Sequence, residues 1–156
     1  MNISYVDYSP ATKSLDIFFS GCNPPFCSGC YNSELSDFNC GTDWRNWIDK
    51  IEKYCNEYSG LIDNIFLLGG SPAHQDLNEM YEFIRILFIL INQKIWLFAR
   101  EELNEIPELF IKTCDYIKSG AYIPELKCDD NIINVGKINL KLATSNQKVY
   151  IKDKDY

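Results

Sequence analysis

At 156 residues, with 46% hydrophobic and 14% aromatic side chains, the chain carries enough apolar surface for one domain, residues 1–156, with a core of its own. Fifteen basic against twenty-two acidic residues leave a net charge of −7, and no run of basic residues interrupts that balance. A nucleic-acid groove, which needs a basic patch, is therefore excluded, and an acidic protein that acts on a small molecule or on a protein partner remains.

Met1-Asn2-Ile3-Ser4 has no basic stretch ahead of a long apolar segment, so it does not read as an export signal. Ile3 to Tyr8 alternates imperfectly and predicts a short strand, which Ser9-Pro10 separates from the next. Ser14 to Ser20 predicts a firmer strand, and it runs directly into Gly21-Cys22-Asn23-Pro24-Pro25-Phe26-Cys27-Ser28-Gly29-Cys30-Tyr31-Asn32. Three cysteines spaced Cys22-x4-Cys27-x2-Cys30 in one loop can converge on a point. Three thiolates without a fourth ligand of obvious spacing suit a four-iron cluster with one open iron. Soft thiolates also select zinc, and Cys40 could complete a four-thiolate zinc site. The bland alternative is three buried or disulfide-bonded cysteines. Seven cysteines without an export signal read as reduced thiols and place the chain in the cytoplasm.

A strand followed by a three-cysteine loop resembles the signature of the radical S-adenosylmethionine enzymes. The longer stretch from Phe19-Ser20-Gly21-Cys22 to Gly29-Cys30-Tyr31-Asn32 resembles the activating proteins of anaerobic (class III) ribonucleotide reductase. Those proteins have three residues between the first two cysteines, and this chain has four, Asn23 to Phe26. One more loop residue costs little closure entropy. The resemblance implies that Cys22, Cys27 and Cys30 hold a 4Fe-4S cluster and that S-adenosyl-L-methionine binds its open iron. It implies a partial, laterally open (β/α) barrel, because a complete eight-stranded barrel needs about 250 residues. It further implies a protein substrate, a glycyl-radical enzyme such as anaerobic ribonucleotide reductase. A reduced flavodoxin- or ferredoxin-type electron donor belongs with it. Tyr31 would cover the adenine or shield the cluster, or else simply pack.

Asp43 to Tyr58 predicts a helix: Trp44, Trp47, Ile48, Ile51, Cys55 and Tyr58 recur at three- and four-residue steps, with Asp43 as cap and Gly60 as terminator. Asn64-Ile65-Phe66-Leu67-Leu68 reads as a strand buried on both faces. It ends in Gly69-Gly70-Ser71-Pro72, which resembles the Gly-Gly-Glu-Pro-like segment that holds the cofactor's methionine amino group, with neutral Ser71 in place of the acid. A plain glycine turn before a helix is the alternative. His74, the only histidine, either borders that pocket or is a solvated or capping residue.

Asp76 and Glu79 form a capping-box pattern ahead of a helix to about Ile91, with Leu77, Met80, Tyr81, Ile84, Leu87, Phe88 and Ile91 on its apolar face. Its apolar run, broken by Arg85, is too short to span a bilayer. Lys94 to Ala99 predicts a strand with Arg100 just past it, where a guanidinium could pair with the cofactor carboxylate or with Glu101 or Glu102. Leu103 to Thr113 predicts a helix with Pro107 near its start, and Asp115-Tyr116-Ile117 a strand. Ile138 to Leu142 and Lys148 to Ile151 alternate like strands. Asp115 to Gly120 and Ser145-Asn146-Gln147-Lys148 resemble short stretches of the same activators; turn chemistry is the alternative for Asn146 and Gln147.

Strands that alternate with helices predict an α/β fold with a mainly parallel sheet, whose ligands sit beyond the carboxyl ends of the strands. The cysteine loop and the double glycine both fall at that end. A radical S-adenosylmethionine enzyme acting on a peptide or small molecule, and a non-enzymatic zinc or iron–sulfur module, are the alternative functions.

Overall fold

A computed structural model describes the whole chain, Met1–Tyr156. Nine strands form in chain order: β1 (Asn2–Ser9), β2 (Ser14–Phe19), β3 (Thr42–Asp43), β4 (Asn64–Gly69), β5 (Lys94–Phe98), β6 (Tyr116–Ser119), β7 (Ile132–Val135), β8 (Ile138–Lys141) and β9 (Lys148–Ile151). Three helices accompany them: α1 (Ile48–Glu57), α2 (Leu77–Leu90) and α3 (Glu108–Thr113). Seven strands make one open sheet in the order β3-β1-β2-β4-β5-β6-β9. Its centre, β2-β4-β5-β6, is parallel, and the flanking β1, β3 and β9 are antiparallel. The fold is thus mixed α/β with a mostly parallel sheet that does not close, as a partial barrel requires.

The sheet has two apolar faces of different size. Ile17 and Phe19 on β2, Ile65 and Leu67 on β4, Ile95 and Leu97 on β5 and Ile117 on β6 point to the helices, in a buried cluster of 23 residues. Phe83 plugs this layer, with its ring edge-on to Phe19 at 5.5 Å and to Trp44 at 5.6 Å. Phe66 and Trp96 on the opposite face are covered by Val135 and Ile138 of the β7–β8 hairpin. That hairpin is half unanticipated: β8 was expected as a strand and its partner β7 was not. Coverage from both sides explains why β4 reads as a continuous apolar run instead of alternating.

Helix boundaries moved for identifiable reasons. Asp43 accepts a hydrogen bond from the Arg45 N–H, but the first turn it caps, Trp44–Trp47, is 3₁₀. The helix then ends at Glu57, ahead of Gly60. Asp76 caps α2 by accepting from the Asn78 and Glu79 N–H groups at 3.0 Å each. The box stays half-made, because Glu79 turns instead to the Met1 amino group and Arg45. The buried stripe of α2 is Met80, Phe83, Ile84 and Leu87, whereas Leu77, Tyr81 and Phe88 are exposed. Periodicity finds a face but leaves its rotation open by a residue. Pro107 cannot donate a backbone hydrogen bond, so it divides the expected 103–113 helix into a 3₁₀ turn, Leu103–Glu105, and α3. No helix is long and apolar enough to cross a membrane.

Asp16 lies on the hairpin-side face of β2, opposite Asp7 of β1 in the antiparallel register. Burial pushes its carboxyl up to about 6; the Ser14 hydroxyl opposes this and Asp7 adds to it. The folded state therefore holds this proton more tightly than the unfolded chain. The group's contribution to stability is largest at acid pH and declines as pH rises from roughly 4 to its folded value. Asp16→Asn is expected to raise the urea midpoint at pH 7.5 and to leave it little changed at pH 4.5. The difference between variant and wild type isolates Asp16 from other carboxylates, and equal shifts at both pH values would count against this assignment.

Candidate iron–sulfur site

The β2 and β4 strand ends stay zipped beyond the sheet. Gly70 N–H donates to Phe19 O and Ser71 N–H to Gly21 O, both at 2.8 Å. The buried Gln75 side chain donates to Ser20 O and Ser71 O at 3.0 Å each and so fastens the same corner. Only glycine fits here. A Cβ on Gly69 would stand 2.5 Å from Phe19 O, and one on Gly70 2.5 Å from Gly21 O. Gly21 itself has φ +105° and abuts the Phe38 ring. The first cysteine therefore leaves a rigid corner, with Cys22 N–H donating to Ser36 O at 3.0 Å.

Beyond that corner the loop is held from β5. Arg100 donates to Asn23 O at 2.7 Å and to Pro25 O, and its Nε donates to Glu101 Oε1 at 3.1 Å. Glu101 Oε1 also accepts from His74 Nε2 at 2.7 Å, while His74 Nδ1 accepts the Asn23 N–H at 2.9 Å. Burial lowers the histidine's pKa against the pull of Glu101, which agrees with a neutral ring that accepts at Nδ1. His74, Glu101 and Arg100 thus grip both sides of the Asn23–Pro25 segment. His74 is therefore neither solvated nor a cap, which corrects that expectation, and Arg100 takes Glu101, one of the partners expected of it, together with the loop carbonyls. What sequence reasoning missed is that His74 and Arg100 meet on the same Glu101 oxygen.

All seven cysteines are free. Cys22, Cys27 and Cys30 line one cavity together with Gly69, Gly70 and Ser71. Burial raises the Cys22 thiol pKa; Arg100 offsets part of this, and the two neighbouring thiols add to it. Ser71 is only 3% exposed, and its hydroxyl has no hydrogen-bond partner. A buried polar group without a partner is costly unless something in the cavity meets it. Arg100 also lines this cavity, whereas Pro72 is buried behind it as the first residue of the 3₁₀ turn Pro72–His74. Tyr31 is not placed there: its side chain stands 98% exposed and is absent from the cavity lining, so it neither covers the cavity nor packs.

Cys40 is not brought to the other three thiols; its Sγ lies 3.5 Å from Glu34 O, at hydrogen-bond distance. No three His, Cys, Asp or Glu side chains close on a point as tightly as a single ion needs. A cubane is wider than one ion and holds its thiolates further apart. Three free thiols on one cavity wall, a glycine turn with no side chain between and an orphaned hydroxyl fit the cluster's donor requirements. Cys55 and Cys114 are core residues, their thiols pushed up by burial to about 11 and about 12.

Two further residues reach the cavity from the far strands, and sequence reasoning gave them no place or only a guess. Lys118 lines it from β6 and donates to Gly120 O at 2.7 Å. Burial pushes its ammonium down to about 8, with Cys27 and then Glu101 opposing. Gln147 accepts the Ala143 and Thr144 N–H groups at 3.0 and 3.3 Å and donates to Gly120 O at 3.3 Å. Asn146 donates to Ala121 O at 3.0 Å. Both therefore do turn work that ties the β8–β9 connection to the end of β6.

An open, mostly parallel α/β sheet whose carboxyl edge carries three free thiols of one loop defines an iron–sulfur protein of the partial-barrel class. Residues 13–142 match the 4Fe-4S single cluster domain family, and the chain belongs to that family, which is typical of radical S-adenosylmethionine enzymes. No curated protein and no solved structure matches the chain.

Proposed function

We propose that the chain cleaves S-adenosyl-L-methionine reductively and uses the resulting radical to activate a protein partner by forming a glycyl radical in it. The observation that carries this is the shared cavity: Cys22, Cys27 and Cys30 stand opposite the Gly69-Gly70-Ser71 turn on adjacent strand ends. A 4Fe-4S cluster held by Cys22, Cys27 and Cys30 would supply, when bound, the one-electron reduction that cleaves S-adenosylmethionine and drives hydrogen-atom removal from the partner's glycine. The residues of the chain do the holding. Cys22, Cys27 and Cys30 anchor the metal, the Gly69-Gly70 backbone lets the methionine end approach closely, and the Ser71 hydroxyl accepts from its amino group. Arg100 and His74 keep the loop in place.

The open sheet supports a protein substrate, because a radical formed at an unclosed edge needs a large partner to exclude water. A reduced flavodoxin- or ferredoxin-type protein supplies the electron. The test is an anaerobic mixture of reconstituted protein, S-adenosylmethionine, reductant and a class III ribonucleotide reductase, followed by electron paramagnetic resonance. A glycyl doublet with 5′-deoxyadenosine formed alongside is expected. Nucleoside production without a doublet would sink the activase reading and favour a peptide or small-molecule substrate.

A further inference from the structure

The amino edge of the parallel strands, at the far end of the sheet from the thiols, carries a second cavity of about 310 Å³. Five strand steps along β4, from Asn64 to Gly69, separate the two ends by roughly 16 Å at about 3.3 Å per residue. Its walls come from the β1–β2 turn, the starts of β4, β5 and β6, and the tip of the β7–β8 hairpin. Lys13, Lys94 and Lys137, from three segments far apart in the chain, line it, and Asp63 is the one carboxylate on its walls. Lys94 holds Asp115 at 2.7 Å, Lys13 stands 3.9 Å from Asp63, and Lys137 pairs with no carboxylate. Three cations against two carboxylates leave this cavity positive in a chain whose net charge is −7. Lys13 adds an independent observation. Its φ is +47°, in the left-handed region that glycine enters freely and a residue with a Cβ enters at a cost. The backbone is held there because Lys13 O accepts the Asp63 and Asn64 N–H groups at 2.8 and 3.1 Å. A lysine where the backbone favours glycine is strain of the kind that collects at binding sites. Pro10, Val135 and Ile138 give the cavity an apolar side.

We propose that this cavity is an anion site that binds the polyphosphate group of a small ligand, with the ammonium groups of Lys13, Lys94 and Lys137 on the phosphate oxygens. Lysine binds phosphate as a point charge, and a polyphosphate carries enough charge to draw three ammonium groups together. The apolar side favours an organic carrier, a nucleotide, over free polyphosphate. Lys94 and Lys137 are exposed, so screening by salt reaches the site. This cavity shares no residue with the thiol cavity and stands whatever binds there.

The test titrates the whole chain at low ionic strength with ATP, tripolyphosphate and adenosine by isothermal titration calorimetry. Wild type is expected to bind both phosphate ligands, to lose affinity as salt rises, and to ignore adenosine. Lys137→Met is expected to weaken both about tenfold, as the loss of one charge-assisted contact does. Lys13→Gly is expected to weaken them comparably without lowering the urea midpoint, because glycine relaxes the left-handed backbone. That combination separates a ligand role from a structural one. Lys112→Met on α3, whose ammonium pairs with Glu108 at 2.7 Å, is the control. Tighter binding of ATP than of tripolyphosphate assigns a nucleotide, and equal affinities assign a free polyphosphate. Binding of neither phosphate ligand at millimolar concentration overturns the proposal, as does adenosine binding as tightly as ATP. Unchanged affinity in Lys137→Met overturns it too, and so does equal weakening by Lys112→Met, which would mean diffuse charge instead of a site.

Discussion

Replacing Cys22, Cys27 or Cys30 singly with alanine is expected to remove bound iron and acid-labile sulfide from the anaerobically reconstituted protein, whereas Cys40→Ala leaves them in place. Three anchors are the minimum that a cubane with one open corner can have, so losing one leaves two iron atoms without protein ligands. Cys40 is outside the cavity, and its Sγ sits at Glu34 O. The apo-protein of each single variant is expected to melt within about 2 °C of wild type, roughly 1 kcal/mol or less. These side chains line a cavity and do not belong to the 23-residue core. Iron and sulfide analysis beside thermal melts checks both halves. Retention of a full cluster in any of the three loop variants would move the centre elsewhere, and its loss in Cys40→Ala would restore a four-thiolate site.

The second large effect is expected from one methyl group at Gly70. Its Cβ would stand 2.5 Å from Gly21 O and 2.6 Å from Gly21 N, closer than any real Cβ contact. Those atoms are backbone, so a side-chain rotation cannot relieve the clash, and the ends of β2 and β4 must part. Gly70→Ala is expected to cost about 1–3 kcal/mol, as overpacking does. For a domain of this size that lowers the melting midpoint by roughly 2–4 °C per kcal/mol. Cys22 follows Gly21 directly, so the same displacement is expected to cut the cluster content. Gly60→Ala is the control, since nothing lies within 4 Å of its Cβ. There the loss of unfolded-chain freedom stabilises by up to about 1 kcal/mol. Melts of both variants with iron analysis decide it; an unperturbed Gly70→Ala would mean that the corner is softer than its hydrogen bonds suggest.

The two substitutions probe the same corner from opposite sides. On the proposed reading the cysteines supply its chemistry; the glycines allow two strand ends to approach closely enough for the thiols and the turn to share a cavity. Arg100, Glu101 and His74 then hold the lengthened spacer, Asn23 to Phe26, through its carbonyls and an N–H. A spacer with one more residue than the resembling activators carry is therefore firmly seated.

Much of this was legible in the linear sequence, for local reasons. Cysteine spacing, the Gly69-Gly70 turn and the apolar runs of β4 and β5 are properties of neighbouring residues, and period and breaker rules reach that far. The alternation of strands and helices was enough to indicate a mainly parallel sheet and to put the loop and the turn on its carboxyl edge. What was not legible depends on residues far apart in the chain. The rotation of α2 that buries Phe83 in place of Tyr81 follows from Phe19 and Trp44 meeting its ring. The half-made cap at Asp76 follows from Met1 and Arg45 drawing Glu79 away. Hairpin β7–β8 shows itself only against the Phe66 and Trp96 face.

Charge partners divide the same way. The sequence by itself determined which residues could serve the site: the three thiols, the glycines and Ser71. Only the tertiary structure decided which cation is engaged and which remains available, because that depends on donors filled by carbonyls over 70 residues away. Arg100 is engaged by the loop, and Lys118 is left facing the cavity. A side chain's type is written in the chain, but its unsatisfied hydrogen bonds are a property of the packed molecule.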